Sequence, residues 1–110
     1  MLNDGLDLAF HALSVATRRE MVARLASGPL TVSDLARPLP MSLPAVLQHL
    51  AVLEGAGLVH SQKAGRVRTC RLDAAAVARA ERWLSDQRAQ WESRLDRLAD
   101  YLASNEGGSK

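Results

Sequence analysis

Disulfides, membrane spans and catalytic signatures are all missing from this 110-residue chain, and each absence narrows what it can do. A single cysteine, Cys70, leaves no internal disulfide and suits a reducing cytoplasm. No apolar run is long enough to span a bilayer. The opening stretch from Met1 to Phe10, which contains Asp4 and Asp7, has neither the basic start nor the apolar centre of a signal peptide. A cytoplasmic protein without a membrane partner is expected. There is no nucleophile elbow, no phosphate-cradling glycine loop and no paired-carboxylate motif, so no enzyme is expected. His11, His49 and His60 lie on separate segments at spacings that build no zinc site, and no metal or cofactor is predicted.

Excess charge of one sign is lacking too: Lys and Arg number 14 against 12 Asp and Glu. The charge is unevenly spread, however. From Val59 to Leu72 stand Lys63, Arg66, Arg68 and Arg71 with no acidic residue, whereas Asp73 to Lys110 holds seven acids against six bases. With no repeat and no low-complexity stretch, the length suits one compact domain, expected over residues 1–104 with a disordered tail over 105–110.

The apolar residues Leu6, Ala9, Phe10 and Leu13 recur at helical spacing until Ser14 to Thr17 interrupts them. A second helix is predicted to start near Thr17, whose spacing to Glu20 fits a capping box, and to stop at Gly28-Pro29. Thr31 caps a short third helix that must end before Pro38. Ser42 caps a fourth, with Pro44 in its first turn, running to the Gly55/Gly57 region. Two strands follow, joined at Ala64-Gly65, where Gly65 supplies the positive φ of a tight turn. Asp73 to about Ser104 has no Gly or Pro and reads as one long helix. The predicted fold is therefore mainly α with a small β-hairpin wing, a winged helix-turn-helix in the order α-α-α-α-β-β-α.

On a wheel of about 100° per residue, Val46, Leu50 and Leu53 of the fourth helix fall together, and Leu43 and Leu47 extend that core side. Pro44, Ala45, Gln48 and Val52 lie opposite, and His49 sits on the flank. A helix entering the major groove needs such a small, uncharged, hydrogen-bonding face. Gln48 is the leading base reader, because its amide can pair bidentately with adenine. Ala45 suits a thymine methyl, Ser42 at the cap suits a phosphate, and His49 either contacts DNA or is held within the protein. A plain amphipathic packing helix would look the same in isolation. The basic hairpin shifts the balance: Lys63, Arg66 and Arg68 suit the DNA backbone beside the helix, with Arg18 and Arg19 as further phosphate contacts.

The segments Ala16-Thr17-Arg18-Arg19, Leu30 to Ala36, Met41 to Leu50, Leu53 to Val59 and the Gly65 wing together resemble the ArsR family of winged-helix regulators, over most of the chain. The final helix, with Trp83-Leu84 and Trp91 to Leu98, is similar to the branch of that family that works without metal. The resemblance implies a homodimer built on the first and last helices that binds an inverted-repeat operator in double-stranded DNA and represses its own operon. It also places Thr31 and Ser33 where the metal-sensing members carry a Cys-x-Cys pair, and neither is a soft-metal ligand. Two departures stand out: Val15-Ala16 replaces a common Asp-Pro, and Leu47 replaces a small hydroxyl residue and is expected to add to the core.

Val77, Leu84, Trp91 and Leu98 recur every seven residues, and Ala80, Leu95 and Leu102 widen the stripe. Together with Leu6 and Phe10 of the first helix they form the expected dimer interface. Intramolecular packing of the two tryptophans is the alternative. A small apolar effector held near Phe10, Trp83 and Trp91 is the expected signal. Cys70, close to Arg68 and Arg71, could have a lowered thiol pKa, but with no resolving cysteine it is expected to be an inert strand residue. The competing function is a winged-helix protein-interaction module with only nonspecific DNA affinity.

Overall fold

The structure, a computed structural model, describes residues 5–108, with side chains to residue 105. Helix α1 (Gly5–Ala12) buries Ala9 and Ala12 and gives way to a turn in which the Ser14 hydroxyl donates to the His11 carbonyl at 2.6 Å. Helix α2 (Ala16–Leu25) starts after Val15, which is extended at φ −108°, ψ 130° and offers no side-chain cap. The capping box expected from Thr17 to Glu20 does not form, because Thr17 already lies inside the helix. The two caps expected downstream do form. Thr31 Oγ1 accepts from the Asp34 N–H at 3.1 Å at the start of α3 (Val32–Ala36), and Ser42 Oγ accepts from the Ala45 N–H at 3.4 Å at the start of α4 (Leu43–Gly55). Arg24 of α2 ties down the end of α3, its guanidinium donating to the carbonyls of Leu35 at 2.6 Å and Asp34 at 2.9 Å.

Helix α4 ends in a Schellman motif: the Leu58 N–H donates to Leu53 O and the Gly57 N–H to Glu54 O, each at 3.0 Å, with Gly57 at φ 75°. The motif reverses the chain while keeping Leu53 and Leu58 fully buried together in the core. The chain then enters β2 (Val59–Ala64) and returns along β3 (Val67–Leu72), paired from Val59↔Leu72 to Ala64↔Val67. Gly65, at φ 64°, takes the first place of the two-residue turn. Arg66 has no positive φ, as a type II′ turn requires.

One strand went unread in the sequence. β1 (Leu30–Thr31) pairs antiparallel with β3 through Leu30↔Cys70 and Thr31↔Thr69, giving a three-stranded sheet of order β1-β3-β2. It is two residues long and its Thr31 also caps α3, so no alternation could reveal it. The rest is the expected winged helix-turn-helix. Met21, Leu25, Leu35, Val46, Leu50, Leu53, Leu58, Val59 and Cys70 form its core.

Helix α5 (Ala74–Gly108) is opened by Asp73, whose Oδ1 accepts from the Ala76 N–H at 3.0 Å. It runs past the Ser104 end expected for it, so residues 105–108 are helical; residues 109–110 of the expected tail and 1–4 of the expected domain lie outside the described residues. By contacts the chain forms two compact units, Met1–Ala80 and Glu81–Lys110. The first holds the winged-helix core, to which Ala76 belongs and against which Val77 packs. The second contains the remainder of α5.

Candidate nucleic-acid interface

The outward side of α4 is small and uncharged: Pro44 and Gln48 are exposed and Ala45 is half-buried, while Val46, Leu50 and Leu53 fill the core beneath. Ser42 is exposed, but its hydroxyl is engaged in capping the helix. The two flanks of the helix differ.

On one flank α4 is tied to the helices before it. Arg18 is the one charged side chain buried among the described residues, at 7% exposure. Its Nε donates to Ala12 O at 2.6 Å, Nη2 to His11 O at 3.2 Å, and Nη1 lies 3.3 Å from His49 Nδ1. An arginine can only donate, so His49 Nδ1 accepts and the neutral ring carries its proton on Nε2. The Ala12 and His11 carbonyls end α1 and have no partner within that helix, which is why a charged fork is stable there. Arg18 is thus withdrawn from the phosphate-contacting role expected of it, and acts instead as a clamp between α1, α2 and α4. Arg19 is exposed and donates to Leu13 O at 2.8 Å. Half-buried His49 is held within the protein, one of its two sequence readings.

The other flank faces the wing. Leu43 and Leu47, expected in the core, are 51% and 38% exposed. Leu47 lies roughly 100° around the helix from Val46, off the side that the core fills; Leu43 is only about 20° from buried Leu50 on the wheel, but it is the first residue of α4, at the end of the helix away from Leu50 and Leu53. With Val67 and the three wing cations they line a groove of about 510 Å³. Lys63 and Arg68 stand directly opposite each other across the hairpin. By strand alternation both lie on the face that, further down, carries Val59 and Cys70 into the core, so they overhang the groove. Like charges at opposed positions destabilise a hairpin by roughly 0.2–1 kcal/mol. Lys63, Arg66 and Arg68 make no side-chain hydrogen bond or salt bridge among the described residues, and Arg66 sits in the turn itself.

Cys70 is fully buried, and its thiol is pushed above its ordinary pKa, chiefly by burial and then by Glu54, against a smaller lowering by Arg68. Glu54 itself accepts a hydrogen bond from the Ser61 hydroxyl. Of the residues matching the family's metal-binding pair, Thr31 spends its hydroxyl on the α3 cap; among the described residues no group of three or more His, Cys, Asp or Glu could hold a metal ion. Among them, too, no helix is long and apolar enough to cross a membrane.

The expected dimer residues fall into two sets. In the first unit, Leu6 and Phe10 are half-buried on α1 and Val77 packs partly on its own core. In the second, Leu84, Trp91, Leu95, Leu98 and Leu102 are all 52–58% exposed, and Tyr101, not singled out in the sequence, is exposed beside them.

Residues 16–61, from α2 into β2, match the pattern described as "Bacterial regulatory protein, arsR family". The HTH-type transcriptional regulator Rv2034 of Mycobacterium tuberculosis is 53% identical over 72 residues, spanning 66% of this chain and 67% of that protein. The crystal structure of the ArsR family transcriptional regulator RHA00566 superposes with a TM-score of 0.75 at 42% identity, over 81% of this chain and 98% of that one. An ArsR-like transcriptional regulator from Rhodococcus sp. RHA1 gives 0.71 at 36% identity, over 86% and 89%. The chain belongs to the ArsR family: it is a transcription regulator with a DNA-binding winged helix-turn-helix, and not an enzyme.

Proposed function

We propose that this regulator acts in the cytoplasm as a homodimer that reads an inverted-repeat operator and represses transcription from it. One observation carries the reading: the uncharged face of α4, with Gln48 exposed at its centre, lies beside a wing whose Lys63, Arg66 and Arg68 have no acidic partner among the described residues. Gln48 and Ala45 meet base edges, the wing cations and Arg19 meet phosphates, and the Arg18–His49 link fixes the helix that does the reading. The exposed apolar stripe of α5 is more than a small monomer ordinarily leaves in water, which supports its burial against a second copy. Two copies place two recognition helices about one turn of DNA apart. The effector in this reading is a small apolar molecule, and quenching of Trp83 or Trp91 in a ligand screen detects it.

Footprinting over the protein's own upstream region tests the proposal, with sedimentation equilibrium on the same sample. A protected palindrome and a dimer at micromolar concentration are expected, and a reporter behind that site should be silenced when the protein is present. A monomer protecting no discrete site would instead favour the protein-interaction module.

A further inference from the structure

We infer that Leu47, supported by Leu43, reads thymine methyl groups in the major groove, so that each operator half-site carries T·A pairs at the positions these two side chains meet. The inference rests on the DNA-reading function proposed above and assigns it a chemistry. Among the described residues up to Ala80, the large hydrophobic side chains standing exposed are Leu43, Leu47 and Val67 alone, and all three line one groove. An apolar surface gathered at one place among the described residues marks an interaction site. Lys63, Arg66 and Arg68 border the same groove, so the partner is an anion that also offers apolar groups.

Duplex DNA fits both demands. Its backbone supplies the charge, and the C5 methyl of thymine is the apolar group on the base edges of the major groove. Leucine has no hydrogen-bonding group and cannot read the donors and acceptors of the other bases. Leu47 is next to Gln48 in sequence and sits on the wing side of the same exposed arc, so the two side chains address neighbouring bases. Leu43 lies four residues earlier, about 6 Å along the axis, against about 3.4 Å between stacked bases. The thymines they meet are therefore one or two steps apart. Val67, on the wing beside Arg66 and Arg68, lines the backbone side.

The test uses the full-length protein and the operator fragment defined by footprinting, with each thymine replaced in turn by deoxyuridine, a change that removes only the methyl group. The expected result is a loss of about fourfold in affinity for one or two thymines per half-site, the worth of one buried methylene, and about fifteenfold when both half-sites are altered. Leu47→Ala should bind more weakly and lose its response to one of those methyls; Leu43→Ala should lose its response to the other. Both positions are exposed, so the variants should melt with the wild type. Operator preference that survives every deoxyuridine substitution within twofold overturns this inference while leaving operator reading intact, as does a Leu47→Ala protein with an unchanged methyl response. Equal binding to operator and random duplex overturns both.

Discussion

Replacing Arg18 with alanine separates a structural arginine from a DNA-contacting one. In the folded protein its guanidinium satisfies Ala12 O at 2.6 Å and His11 O at 3.2 Å, and reaches His49 Nδ1 at 3.3 Å. Ala12 is fully buried, so its carbonyl has no water to turn to once the arginine is gone; stranding such a group costs about 1–3 kcal/mol. His11 is exposed and recovers most of its bond from solvent, while the lost arginine stem leaves a packing defect. The sum is about 2–4 kcal/mol, which for a domain of this size lowers Tm by roughly 10–25 °C. Arg18→Lys keeps a charge but not the fork, and should fall between. Thermal circular dichroism at fixed protein concentration reads the effect, since dimerisation makes Tm depend on concentration. DNA binding measured well below the melt should keep the wild-type salt slope. A Tm within about 2 °C of wild type, combined with a salt slope reduced by about 0.9 per lost phosphate contact, would refute the clamp and return Arg18 to the DNA.

Three further outcomes follow from the same geometry. Lys63→Ala and Arg68→Ala should each weaken binding to all duplexes and flatten the salt slope, yet leave the protein as stable or up to ~1 kcal/mol more stable by relieving the opposed charges; a loss of stability measured by urea titration would count against this. The Asp73 carboxyl is held below its ordinary pKa of 3.8, first by the hydrogen bond from His60 and then by the Ala76 N–H. Because the folded value is the lower one, that contribution is present above 3.8 and is lost as pH falls through the folded value. Asp73→Asn should therefore flatten the acid limb of a stability curve and His60→Ala should shrink it, whereas an acid limb identical in all three proteins would exclude the contact. Buried Cys70 should react with a thiol reagent far more slowly in the folded than in the unfolded protein, and rapid stoichiometric labelling of native protein would restore a redox role.

The sequence made legible those features that local chemistry dictates. Thr31 and Ser42 cap their helices, Gly65 turns the wing and Gly57 ends α4, because each occupies a backbone position that few residue types satisfy. The uncharged face around Gln48 and the cations of the wing were also readable, from helical and strand periodicity. Features set by tertiary neighbours were not. Arg18 looks like any surface arginine until the end of α1 folds over it. Leu43 and Leu47 look like core until the space is seen to be filled by Val46, Leu50 and Leu53; the angle of Leu47 on the wheel is an available signal, whereas Leu43 falls beside Leu50 on the wheel and only its place at the start of α4 sets it apart. β1 is too short to have a period at all. The Thr17 cap failed because the chain breaks two residues earlier, at Val15.

The central claim is that α4 reads sequence through Gln48 while the wing supplies charge. Fluorescence anisotropy over a range of salt concentrations, with the operator duplex and a scrambled duplex of equal length, tests it most directly. Wild-type protein should prefer the operator by about a thousandfold or more, and Gln48→Ala should lose ~1–3 kcal/mol on the operator with no change on the scrambled duplex. Equal affinity for the two duplexes at every salt concentration, or a Gln48→Ala protein weakened equally on both, would contradict it.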